Sequence, residues 1–206
     1  LYETAPEVWG IFRKLRMMEH AGGIKYEPVI MGKNRVRIGV LSDTHGHLPE
    51  GVLRFVEACD VVLHAGDIGS ESVVDTLEER VTLVAVHGNI DGGPLRLRFP
   101  EVQRIEVGGA RLFMTHIAGY PGHYRAEVKK LLQEERPHLV VCGHSHILKI
   151  MYDKHLQHLH VNPGACGLSG WHTRLTAVRF IIEEGKPTNM EIWEKEKKGR
   201  EGLAES

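Results

Sequence analysis

The chain has 206 residues, about one and a half times the ~150 of an ordinary domain, so one compact unit with an appendage is expected. Its 42% hydrophobic and 26% charged residues exclude wholesale disorder, and a net charge of -1 from 26 basic and 27 acidic side chains excludes strong general binding to nucleic acid or anionic lipid. No apolar run approaches the ~18 residues of a membrane span, and the opening stretch, broken by Glu3, Glu7, Arg13, Lys14, Arg16 and Glu19, holds no signal-peptide core.

Residues 1–34 are expected to form an N-terminal extension outside the core: 8–18 suits one amphipathic helix, but Ala21-Gly22-Gly23 and Pro28 interrupt any regular element after it. The domain itself is expected over 35–194. A short β-branched run at 36–41 predicts a strand, and 49–58 a helix with Pro49 in its first turn. Next come a strand at 60–64, a helix at 71–79 and a strand at 81–86, an alternation that argues a parallel β-α-β sheet covered by helices. The middle changes character. Residues 102–107 and 111–115 flank Gly108-Gly109 as an antiparallel hairpin, a helix at 122–135 stops before Pro137, and 139–142 is a buried strand. Strand-like runs at 147–152, 156–161, 175–182 and 189–193 form a meander, and 195–206 reads as a charged, frayed tail. An α/β half followed by a β-rich half predicts two sheets packed face to face with helices outside.

Three scattered cysteines, Cys59, Cys142 and Cys166, suit neither a disulfide framework nor a paired-cysteine zinc site, so a reducing, cytoplasmic setting is expected. The unusual count is 14 histidines. Histidine is the commonest metal ligand, so their placement matters more than their number. After Leu41 comes Ser42-Asp43-Thr44-His45-Gly46-His47; after Leu63, His64-Ala65-Gly66-Asp67; after Val86, His87-Gly88-Asn89-Ile90-Asp91. After Met114 comes Thr115-His116, and after Cys142, Gly143-His144-Ser145-His146. Most of these alone are ordinary turn chemistry, with Asp as a cap and Asn tolerating a left-handed turn, but the two histidines of Gly143-His144-Ser145-His146, two apart in an extended segment, are expected to project to the same side. The recurrence of such ends after five strands is not turn chemistry, because open α/β sheets bind ligands outside the carboxyl ends of their strands.

Two carboxylates, one amide and four imidazoles are too rich in nitrogen for calcium or magnesium and suit two divalent transition metals, Mn2+ first, with Fe, Zn, Ni or Co as alternatives. Seven side chains exceed one open site but fit two ions sharing a carboxylate. Two such ions against two aspartates leave a positive centre, which favours an anionic, phosphoryl-type substrate.

In this order, the motifs Asp43-Thr44-His45, Gly66-Asp67, Gly88-Asn89-Ile90-Asp91, Thr115-His116, Gly143-His144-Ser145-His146 and Asn162-Pro163-Gly164 resemble the calcineurin-like metallophosphoesterase superfamily, most of all its YfcE-type phosphodiesterase branch. The resemblance spans roughly 36–178. It implies an α/β fold, a four-layer α/β/β/α sandwich of two mixed sheets flanked by helices. It implies a binuclear centre in which Asp43, His45 and His146 hold one ion, Asp67 bridges, and Asn89, His116 and His144 complete the other. A bridging hydroxide would attack phosphorus in line while Asn89 steadies the phosphoryl oxygens. Asp91 and His64 are expected to orient ligands, with a packed structural role equally open to His64.

Three positions depart from that pattern. Many relatives carry a histidine after the motif asparagine, where this chain has Ile90, which cannot protonate a leaving oxygen. This favours diesters over monoesters, with His47, His87, His123 and His172 as candidate substitutes for the missing acid. Ile117 to Tyr120 follow His116 where relatives often have glycine and histidine, and Ala165 stands where serine is frequent. The expected partner is a small phosphate-ester substrate, with homo-oligomerisation left open. Competing readings are a phosphomonoesterase, a non-catalytic interaction scaffold on the same fold, as in a retromer subunit, or an amidohydrolase, whose eight-stranded barrel the meander does not supply. Arg96 and Arg98, near Pro94, read as solvated loop charge, and Trp171 as either packing or a pocket wall.

Overall fold

The computed structural model describes residues 25–29 and 33–197; the helix expected at 8–18 and the residues after 197 lie outside them. Strand β1 (Glu27–Pro28) precedes β2 (Arg35–Leu41), α1 (Glu50–Val56), β3 (Val61–His64), α2 (Glu71–Glu78), β4 (Leu83–Ala85) and α3 (Gly93–Arg98). The hairpin β5 (Val102–Val107) and β6 (Ala110–Thr115) leads to α4 (Ala126–Glu135), then β7 (Leu139–Val141), β8 (Leu148–Asp153), β9 (His158–Pro163), β10 (Arg174–Glu183) and β11 (Lys186–Glu196). One sheet has the order β11-β10-β2-β3-β4, the other β1-β5-β6-β7-β9-β8, and both mix parallel with antiparallel pairs.

Alternation along the strands makes the layers. Val61 and Leu63 of β3 face the same inner core as Leu112 and Met114 of β6, Leu139 and Val141 of β7, and Phe180 of β10. The intervening Val62 turns outward to Val52, Val56, Val73, Leu77 and Leu95 of the first three helices. On the far side, Phe113 and Val140 meet Val128 and Leu132 of α4. A period of two therefore gives each sheet two apolar faces, and four layers result: helices, sheet, sheet, helix. The expected four-layer sandwich is borne out. Burying a single Leu or Phe in such a core contributes about 1.5–3 kcal/mol.

The differences are local. Residues 93–98, expected as loop, form a short helix, because Pro94 falls in the first turn where its missing N–H costs nothing. Helix α4 begins at Ala126 rather than 122 and ends with Arg136 in a left-handed conformation just before Pro137. Strand β11 runs to Glu196 and packs Trp193 over Gly51 of α1. Of the first 34 residues, β1 pairs in parallel with β5, and Val29 is buried in the inner core.

Candidate metal centre

Strands β2, β3 and β4 run parallel in one sheet, and β6 and β7 run parallel in the other. Their carboxyl ends open onto one edge, and each sheds a polar side chain there. Asp43, His45 and His146 form one group and Asp67, His116 and His144 a second; within each group the nearest ligand atoms lie within 4.8 Å of one another. The groups adjoin through Asp67, whose Oδ1 is 3.2 Å from His116 Nε2 and whose Oδ2 is 3.9 Å from His45 Nε2. The Asn89 Oδ1 lies 3.1 Å from the same His116 nitrogen. All seven side chains expected at the edge thus share one neighbourhood.

The backbone shows what this arrangement costs. Asp43, His45, Asp67, His144 and His146 all have positive φ, between 48° and 69°. A non-glycine residue held there stores of order 1–3 kcal/mol, and such strain persists only where surrounding contacts over-determine it. It also answers how His144 and His146, two residues apart, reach different groups: neither is extended, so they do not project together as an extended segment would. Glycines make the approach close enough. A Cβ at Gly88 would overlap the Asp67 carboxylate, and one at Gly143 would overlap Ser42 Oγ and press on Asp43 Oδ2.

Hydrogen bonds fix which ring nitrogen is free in His116 and His146. His116 Nδ1 lies 2.7 Å from the Ala65 carbonyl and so carries the proton, leaving the Nε2 lone pair toward Asp67 and Asn89. Behind His146 stands a two-step relay. His172 Nε2–H donates to the Gly167 carbonyl at 3.0 Å, so its Nδ1 accepts from His146 Nδ1–H at 3.2 Å, and the His146 Nε2 lone pair is aimed at Asp43 and His45. His45 Nε2 and His146 Nε2 approach to 3.3 Å, and Asp43 Oδ1, 3.3 Å from His146 Nε2, is buried without a hydrogen-bond partner. A buried acceptor left unsatisfied is costly, and lone pairs converging on it call for a cation. The donor set, with imidazole nitrogens and carboxylate oxygens in each group, fits transition-metal ions.

The charges of the site call for a positive group at the same place, which either a proton on His116 Nε2 or a bound cation supplies. Burial pushes the Asp67 carboxyl up, but the His116 hydrogen bond and charge, the Ile90 N–H and His45 together hold it below the usual carboxylate range. Burial pulls His116 down, and the Asp67 hydrogen bond with the charges of Asp43 and Asp67 more than reverses it.

A family model for the calcineurin-like phosphoesterase superfamily domain matches residues 36–185. The chain belongs to the calcineurin-like phosphoesterase superfamily. A phosphodiesterase of Methanocaldococcus jannaschii is 25% identical over 168 residues, covering 73% of this chain and 95% of the relative. A solved archaeal phosphodiesterase superposes with a TM-score of 0.61 at 24% identity over 76% of this chain and 99% of its own. A Vps29 of Chaetomium thermophilum shares the fold at a TM-score of 0.56 and 16% identity, covering 79% of this chain and 99% of its own. The resemblance carried by the motifs is thereby borne out, and membership makes the chain a phosphoric ester hydrolase.

Within this calcineurin-like domain other expected residues take supporting places. Asp91 is buried and accepts from three backbone amides, Ile68 and Gly88 on Oδ2 and Gly69 on Oδ1, tying the loop after β3 to the loop after β4. Gly66 N–H donates to His64 Nδ1, His64 Nε2–H donates to Thr44 Oγ1, and Thr44 donates to the Ile68 carbonyl. Burial holds His64 down to about 4 despite Asp91 and Asp43 nearby. Asn162 donates to the Gly143 carbonyl at 2.8 Å and to Ser145 Oγ at 3.1 Å, and so steadies the histidine-bearing loop. Ile90 is half exposed beside the centre.

Arg96 and Arg98, read from the sequence as solvated loop charge, are partnered instead. Arg96 lies on α3 and donates to the carbonyls of Asp91, Gly88 and Asn89, clamping the asparagine loop. Arg98 of the same helix reaches back to Glu78 and Asp75 of α2. His172, a candidate acid on sequence grounds, faces the back of His146 instead. Losing that relay frees the His146 ring to rotate. Expected for His172→Ala is a metal affinity weaker by about 10–100-fold at one of the two sites only, measured by competition with a chromophoric chelator. Equal weakening at both sites would mark His172 as a general packing residue.

Proposed function

We propose that the protein is a binuclear metal-dependent phosphodiesterase acting on small phosphate diesters, with Mn2+ the first choice of metal ahead of Fe, Zn, Ni and Co. The observation that carries this reading is Asp67, one carboxylate facing two His/Asp groups, with the unpartnered buried Asp43 Oδ1 close by. Asp43, His45 and His146 would hold one ion, His116, His144 and Asn89 the other, and Asp67 both. When bound, such ions polarise the phosphoryl oxygens and lower the pKa of water so that a nucleophile exists at neutral pH.

The chain's own groups do the rest. Asn89 presents its amide at the mouth of the centre, and Arg96 and Asp91 hold its loop so that the amide meets the phosphoryl group in one orientation. His64 and Thr44 brace the turn that carries Asp43 and His45. Ile90 is apolar and the ring of His172 is committed to Gly167 and His146, so neither supplies the missing acid. A leaving group that departs without protonation is favoured, hence an activated diester.

Among the described residues no helix is long and apolar enough to cross a membrane. Cys59, Cys142 and Cys166 are free and buried, in keeping with the cytoplasmic setting we propose. The similarity to Vps29 folds raises a scaffold reading, but the complete ligand constellation favours catalysis. The test is hydrolysis by the Mn2+-loaded protein of bis(p-nitrophenyl) phosphate against p-nitrophenyl phosphate, with a chelator control. The diester is expected to react about tenfold faster, a modest fraction of what general-acid catalysis contributes. Preference for the monoester would overturn the diester reading, and inertness of metal-loaded protein toward both would overturn catalysis.

A further inference from the structure

Beside His144 the surface dips into a cavity of about 250 Å3 between the loop after β6 and the loop after β7. Ile117, Ala118, Tyr120 and Ile147 give it an apolar wall, and Lys149 of β8 reaches in from the side. The cavity is smaller than the roughly 300–1,000 Å3 that accommodates drug-sized ligands, so it takes one compact substituent rather than a nucleotide or a polymer.

Lys149 sets the chemistry. It is only partly exposed, and among the described residues no carboxylate lies within ion-pairing distance of it. Its contact is cation-π, with Nζ 3.8 Å from the centre of the Tyr120 ring. The other cation lining the cavity, Arg125, is already paired with Glu127 at 2.6 Å. Tyr120 in turn has Lys149 on its ring and His123 at 4.9 Å, which leaves little of it for stacking a ligand ring. An ammonium held over an aromatic ring without a counter-ion, at the edge of a centre built for a phosphoryl group, is a site for a second negative charge.

We infer that this cavity is a specificity subsite for the esterifying arm of the substrate, and that the arm is short, partly apolar and ends in an anionic group, a carboxylate or a second phosphate, held by Lys149. The inference rests on the phosphodiesterase reading and sharpens it: the substrate class is a phosphodiester with a compact acidic substituent.

Three p-nitrophenyl phosphodiesters test it, alike except that the short alkyl arm ends in a carboxylate, a phosphate or a primary amide. At least one anionic ester is expected to exceed the amide in kcat/KM by about tenfold, and the better of the two names the anion. In Lys149→Gln the anion-to-amide ratio is expected to fall to near one. Calorimetry gives a second readout without turnover: of the phosphomonoester products with the carboxylate and the phosphate arm, at least one binds the metal-loaded protein about tenfold tighter than the amide product, and Lys149→Gln removes the difference. Equal rates for all three esters, or a ratio that survives Lys149→Gln, would overturn the subsite while leaving the phosphodiesterase reading intact. Absence of hydrolysis of every ester would strike that underlying reading instead, and the calorimetric difference would then decide the subsite alone.

Discussion

Asp67→Ala is expected to lose most of both metal equivalents and to cut diester hydrolysis by more than about 100-fold, beyond the 10–100-fold typical of removing a group that only supports a ligand. The reason lies in its two oxygens. Oδ1 sits 3.2 Å from His116 Nε2 and Oδ2 3.9 Å from His45 Nε2, so this one carboxylate belongs to both histidine groups. Two divalent ions placed side by side repel strongly in a partly buried site, and a shared anion is what offsets that repulsion. Asp43→Ala, by contrast, removes a ligand from one group and is expected to lose one equivalent preferentially. Metal content by plasma mass spectrometry after dialysis, with a thermal melt of the metal-free protein to show that the fold persists, separates the two. Full retention of both ions in Asp67→Ala would defeat the bridging role.

The strand ends were legible because each apolar run stops at a polar residue, usually near a glycine, and a parallel sheet aligns its carboxyl ends whatever the loops do. That regularity does not depend on the shape of any loop. The features hidden from the sequence do depend on such shapes. The helix at Gly93–Arg98 hid behind Gly92-Gly93-Pro94, residues that usually punctuate structure, and with it the clamp by Arg96 went unseen. The relay from Gly167 through His172 to His146 joins residues 26 apart along the chain, and nothing in their spacing signals it. The length of β11 was concealed because most of its side chains are exposed and polar, so a template of apolar alternation finds only its middle. Left-handed backbone at Asp43, His45, Asp67, His144 and His146 is likewise invisible in residue type. It is set by contacts between loops, such as His144 N–H donating to Asp43 Oδ2 and Ile90 N–H donating to Asp67 Oδ1. Local patterns therefore point to the cluster of side chains, and long-range hydrogen bonds set its geometry.

Ile90→His is expected to raise hydrolysis of an alkyl phosphomonoester by about 10–100-fold while changing activated diester hydrolysis by less than about threefold, within the range that a positioned general acid contributes. Ile90 follows Asn89 and is 47% exposed, so the substitution meets open space rather than core. Its backbone is held by the N–H bond to Asp67 Oδ1, which a side-chain change leaves in place. A histidine there would stand beside Asn89 and could hand a proton to the departing oxygen. An alkoxide needs that proton, whereas p-nitrophenolate leaves without one, and the two leaving groups should diverge for that reason alone. The gain should also appear as a new descending limb in the pH–rate profile of the alkyl ester, where the imidazolium loses its proton below the ordinary histidine value of about 6.5 because the loaded centre is positive. If the alkyl ester shows neither a gain nor the new limb, the identity of residue 90 does not govern leaving-group choice, and the preference for diesters must come from the pocket around Lys149 instead.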